Sequence, residues 1–118
     1  MNCIRFGCDT PGQIAECERA TALIDKYGYK GEYFFYCILM NDFKEAFNRV
    51  NHWRKRGRRF LPYAQPYRDL NNPHQIIPQW QKDLAGWVDK KWIFRSCEFK
   101  DFIPRKGFKC SEYFFNQL

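Results

Sequence analysis

The chain has 118 residues, enough for one domain with a modest core. Hydrophobic residues make up 45% of it, which excludes a disordered chain, and no apolar run is long enough to span a bilayer. A net charge of +7 turns attention to anionic partners, a nucleic acid or an anionic surface.

The first predicted element is a short strand at Cys3–Gln13, CIRFGCDTPGQ, that stops at a polar turn and opens a helix. Ile4, Phe6 and Cys8 alternate with Arg5, Gly7 and Asp9, the period of two of a strand. Thr10-Pro11-Gly12-Gln13 reads as a capping box with proline at the first helical position. The first helix is expected from Pro11 to Tyr27, with Ile14, Cys17, Ala20, Leu23, Ile24 and Tyr27 on its apolar stripe and Gly28 ending it.

The second strand, Tyr33 to Met40, is apolar on both faces, as central strands of parallel sheets are. Asn41 and Asp42 follow, and Asp42 with Glu45 makes a second capping pattern. Phe43, Ala46, Phe47, Val50 and Trp53 recur at helical spacing until Gly57. A third strand runs from Arg59 to Pro66; Pro62 and Pro66 withhold two ladder donors, so an edge strand or an irregular one is expected. After the long loop Tyr67 to Ile77, Pro78 opens a third helix carrying Trp80, Leu84, Trp87 and Val88 on one face. Trp92-Ile93-Phe94 reads as a short fourth strand, and the aromatic, basic tail 95–118 as ordered coil.

Strand starts lie about 28 residues apart, the size of a βα unit. The expectation is a single α/β domain over 1–118, with three or four parallel strands and alternating helices. An open three-layer sheet and an arc of a barrel both fit.

The six cysteines, Cys3, Cys8, Cys17, Cys37, Cys97 and Cys110, include no Cys-x-x-Cys pair. With no leader-like pattern at the N-terminus, reduced thiols and a cytoplasmic location are expected. His52 and His74 are the only histidines, so no local metal site is expected. The run Arg54-Lys55-Arg56-Gly57-Arg58-Arg59 reads first as a helix C-terminus favoured by the dipole, not as a specific nucleic-acid site. No serine-centred elbow, phosphate-cradling glycine loop or close carboxylate pair suggests a catalytic residue.

At CIRFGCDTPGQIAECERA, KGEYFFYCILMNDFKEAFNRVNHW, LPYAQPYRD and IPQWQKDLAGWVDKKWIF the chain resembles the C-terminal half of a radical S-adenosylmethionine protein. That family folds as a partial, TIM-like α/β barrel and holds an iron–sulfur cluster on a Cys-x-x-x-Cys-x-x-Cys loop. The loop is absent here, so no cluster is expected on this chain and none of its residues is expected to be catalytic alone. The resemblance implies S-adenosylmethionine or substrate contacts from strand ends, at Asp9 and Thr10, at Asn41, and from Gln65 to Arg68. In these roles Asp9 meets ribose hydroxyls, Asn41 a polar ligand edge, and Arg68 a carboxylate. Capping alone also explains Thr10 and Asn41.

Two other functions stay open: a small basic binding module contacting nucleic acid or protein, and a structural subunit that completes a barrel. A half barrel leaves one sheet face bare. The expected partner is the missing N-terminal half or, more favoured, a second copy in a homodimer, with the tail as the competing lid.

Overall fold

The computed structural model describes residues 3–115. Strands β1 (Cys3–Gly7), β2 (Glu32–Leu39) and β3 (Phe60–Pro66) form one sheet in the order β1-β2-β3, every pair parallel. Helices α1 (Pro11–Lys26) and α2 (Phe43–Arg56) are the crossovers. Helices α3 (Gln79–Val88) and α4 (Lys91–Ser96) follow, then a 3-10 turn at Phe99–Asp101 and a short α5 (Glu112–Phe115).

The helix boundaries follow from local chemistry. Gln13 Oε1 accepts the backbone N–H groups of Asp9 at 2.6 Å and Thr10 at 3.1 Å, which satisfies two donors ahead of α1. Asp42 Oδ1 accepts from Glu45 N at 3.2 Å and caps α2. Gly28 and Gly57 follow the two helices with φ of 94° and 118°, backbone that a Cβ would strain.

Alternation along β2 sends Tyr33, Phe35, Cys37 and Leu39 into the core. Trp53 of α2 stacks on Phe35 with ring centroids 3.7 Å apart. The Tyr33 hydroxyl donates to Asp25 Oδ1 of α1 at 2.5 Å, with Thr21 O of the same helix 3.3 Å away. Both crossover helices therefore cover the same face of the sheet. The opposite face exposes Arg5, Tyr36, Tyr63 and Gln65. This one-sided α/β arrangement, with strands in sequential order and the sheet left open, fits a partial arc of a barrel.

The prolines of β3 lie where the edge tolerates them. Tyr67 N–H donates back to Leu39 O at 3.1 Å, so odd-numbered amides here face β2 and even-numbered positions face the free edge. Pro62 and Pro66 are even. Between them, Ala64 N–H is taken by Asp89 Oδ1 at 2.8 Å.

Three expectations fail. Trp92-Ile93-Phe94 belongs to α4: Phe94 N–H bonds Lys90 O at 2.9 Å, and the Phe94 ring meets Trp87 at 4.8 Å. So short an apolar run carries no period that separates strand from helix. Past α4 the tail is irregular outside Phe99–Asp101 and Glu112–Phe115 among the described residues, and it lies on the helix side of the sheet rather than across the bare face. Phe99, Tyr113 and Phe114 pack on Phe43 of α2, and Asp83 of α3 accepts from Arg105 and Tyr113, so the tail extends the helix-side core and is no lid for the bare face. Positions 116–118 of the predicted tail lie outside the described residues. In α1 the inner stripe is Cys17 and Thr21, whereas Leu23 and Tyr27 are 57% and 84% exposed, because polar contacts to Tyr33 set the helix's rotation. All six cysteines are free thiols, and among the described residues no helix is long and apolar enough to cross a membrane.

Candidate functional site

In a parallel α/β sheet the carboxyl ends of the strands are where ligands bind. Asp9 and Thr10 follow β1, Met40 and Asn41 follow β2, and Tyr67 and Arg68 follow β3.

Asp9 is half-buried and has a structural duty. Its Oδ1 accepts Ile38 N–H at 2.8 Å and so prolongs the β1–β2 pairing past Gly7. Across β2, Ile38 is the register partner of Gln65, so Asp9 and Gln65 flank one residue at the sheet's end. Gln65 is exposed on the bare face. Thr10 is exposed at the start of α1, and its backbone N–H is already held by Gln13. Asn41 lines a hollow of about 170 Å³ with Met40, Tyr67, Gln75 and Ile76. Arg68 is exposed and has no ion pair among the described residues. The structure thus sets Asp9 and Gln65 on opposite sides of Ile38, with β2 between them, and brings Asn41 to the start of the Tyr67 loop. Thr10 stands apart at a helix start.

The residue that builds this end of the sheet was not a sequence candidate. Arg49 of α2 is fully buried. Its Nη1 donates to Cys8 O at 2.7 Å and its Nη2 to Ile38 O at 2.9 Å. Nε and Nη2 also bind the Glu45 carboxylate, at 2.7 and 3.0 Å. One guanidinium therefore ties α2 to a carbonyl just past β1 and to one near the end of β2. A signal was present: Arg49 falls between Ala46, Val50 and Trp53, on the inward stripe of α2.

Beneath these carbonyls lie three thiols. Cys8 and Cys37 follow the paired residues Gly7 and Tyr36, and Cys17 Sγ donates to Gly7 O at 3.5 Å. The Cys37 thiol is within hydrogen-bonding reach of Cys8, which with Trp53 and Arg49 alongside holds Cys8 below the ordinary thiol value despite burial. That same contact and burial hold Cys37 above it, and burial pushes Cys17 up to about 12. Trp53 Nε1 is buried without a nitrogen or oxygen partner, and the Cys8 sulfur is its neighbour. These thiols are core groups. Among the described residues no three or more His, Cys, Asp or Glu side chains converge as a metal site.

The bare face adds a second surface. Arg5, Phe34, Tyr36 and Tyr63 line a shallow groove of about 300 Å³. Tyr36 and Tyr63 are register partners and meet edge to face at 5.9 Å. Gly7, the partner of Tyr36 on β1, places no side chain beside it, and a Cβ there would meet open space. The face offers aromatic rings, one cation and the Gln65 amide.

No family model, no curated protein and no solved structure matches this chain.

Proposed function

We propose that this chain forms one half of an α/β barrel of the radical S-adenosylmethionine kind, supplying ligand contacts from its strand ends and carrying no catalytic residue alone. The observation that supports this is the one-sided sheet: strands in the order β1-β2-β3, helices on one face, and a polar and aromatic face left bare. A barrel needs such a face as its lining. An isolated two-layer domain has no use for exposed Tyr36 and Tyr63 beside Arg5.

The donors at the strand ends fit S-adenosylmethionine in kind. Asp9 keeps its second carboxylate oxygen for a ribose hydroxyl, since only Oδ1 binds Ile38 N–H. Asn41 and Gln65 offer amides, and Arg68 offers an unpaired guanidinium for the methionine carboxylate. Bound S-adenosylmethionine supplies a sulfonium whose reductive cleavage draws an electron from an iron–sulfur cluster. The sequence lacks the three-cysteine loop that holds that cluster, so the partner half would provide it.

The second reading, a small binding module, draws on the same Tyr36–Tyr63 pair as a stacking surface. The test that separates them reads the DNA upstream of the Met1 codon and titrates the chain with S-adenosylmethionine by amide NMR. The barrel reading expects an in-frame or adjacent Cys-x-x-x-Cys-x-x-Cys segment and shifts at Asn41, Gln65 and Arg68. Neither such a segment nor shifts at these residues would sink it.

A further inference from the structure

The basic run across the C-terminus of α2 divides once its partners are counted. Arg56 binds Glu18 at 2.9 Å and Arg59 binds Asp25 at 2.9 Å, so both are neutralised. Arg54 and Arg58 have no carboxylate partner among the described residues, and neither has Arg95 of α4. Instead these three are held together. Arg54 Nε donates to Phe94 O at 3.0 Å, and Arg95 Nη2 donates to the Arg58 carbonyl. Arg58 and Arg95 line two adjoining hollows at the amino ends of β2 and β3, of about 560 and 290 Å³. This is the opposite end of the sheet from Asp9 and Asn41.

Like charges gathered without a counterion destabilise a fold unless something relieves them. Burial, then the charge of Arg58, pull the Arg95 guanidinium below its usual value, with Arg54 adding to the pull and the Glu32 carboxylate only partly opposing it. Arg95 Nε is also buried with no hydrogen-bond partner, a donor whose desolvation is uncompensated. The one carboxylate in the larger hollow, Glu32, is already bound to Lys91 at 2.7 Å. Above the arginines, Trp92 opens its ring to solvent, 72% exposed, and forms a wall of the larger hollow.

We propose that this hollow is an anion site for a nucleotide: Arg58 and Arg95 take the phosphate and the Trp92 ring takes the base. Guanidinium groups suit phosphate because they offer several fixed donors to its oxygens. A flat, wet tryptophan adjoining them suits a base, since stacking tolerates any base. Inorganic phosphate satisfies the arginines alone, and a nucleoside the ring alone, so a nucleoside monophosphate binds better than either. The phosphate can belong to a free nucleotide or to a strand, and the site's chemistry is the same for both.

The experiment follows the Trp92 indole and the Arg58 and Arg95 Nε–H signals by NMR, with the full chain. The probes are adenosine 5′-monophosphate, inorganic phosphate, adenosine and a short single-stranded RNA. The monophosphate is expected to shift all three signals in one saturable curve, and phosphate only the arginines. Arg58→Gln is expected to raise the Kd for the monophosphate about tenfold. Trp92→Ala is expected to raise it roughly fivefold or more while leaving phosphate binding unchanged. Lys55→Gln, which removes the same charge from the exposed face of the same run, is expected to change neither. Because Arg58 is exposed, its variant keeps the fold, which circular dichroism checks, whereas Arg95→Gln also loses the contact to Arg58. RNA binding more tightly than the monophosphate assigns the phosphate to a strand; equal affinity assigns it to a free nucleotide. An absence of saturation, or an equal loss in Lys55→Gln and Arg58→Gln, overturns the proposal.

Discussion

Arg49→Met tests how the candidate site is held. The substitution keeps much of the side chain's length and apolar volume but removes every donor. Cys8 O and Ile38 O then lose the charged partner that reaches them at 2.7 and 2.9 Å. Each buried carbonyl left without its partner costs about 1–3 kcal/mol. Glu45 loses its ion pair too, but its side chain is 24% exposed and turns to water, so it adds little. The two carbonyls together come to about 2–6 kcal/mol, which brackets the 3–5 kcal/mol typical when one member of a buried pair is removed. A domain of this size has roughly 5–15 kcal/mol in all. Arg49→Lys keeps the charge but cannot span both strands and the carboxylate at once, so it should recover only part of the loss. Urea unfolding followed by circular dichroism measures this, with the midpoint falling and the slope unchanged. If Arg49→Met stays within about 1 kcal/mol of the parent, Arg49 does not join the strand ends and the account of the site fails.

Asp83→Asn removes the charge that holds Gln79, Arg105 and Tyr113. It should destabilise the tail by about 2 kcal/mol and speed amide exchange over residues 105–115, and unchanged exchange there would contradict the packing described. Hydrogen bonds from Arg59 and then Tyr33 hold Asp25 below the usual carboxylate range. A depressed folded value means stability that is present above the unfolded pKa, about 3.9, and is lost as the pH falls below it. The gap in melting temperature between the parent and Asp25→Asn should therefore be wide at neutral pH and close under acid; a gap of constant width would refute this. The bare sheet face should pair two copies at micromolar concentration, by light scattering, and Tyr36→Lys with Tyr63→Lys should give monomers with little change in stability. A parent that is already monomeric at that concentration would refute the pairing.

The order of strands and helices was legible because each depends on neighbours in sequence. Alternation at Ile4 to Cys8, the capping residues Gln13 and Asp42, and the glycines at 28 and 57 act within a few positions, and the structure has an element boundary at each. The edge position of β3 was likewise written in Pro62 and Pro66. Asp9 and Asn41 could be placed at strand ends for the same reason. What these groups touch could not be read, because the partners are far away in the chain. Asp9 binds Ile38 N–H, 29 residues on, and Arg49 reaches Cys8 O, 41 residues back. The period of α2 puts Arg49 on the inward stripe but not what it meets there, and only the register of β1 against β2 turns two carbonyls toward it. The tail shows the same limit: its phenylalanines and tyrosines announced burial, but Phe43, Phe47 and Asp83 decided where, through packing that no local period encodes.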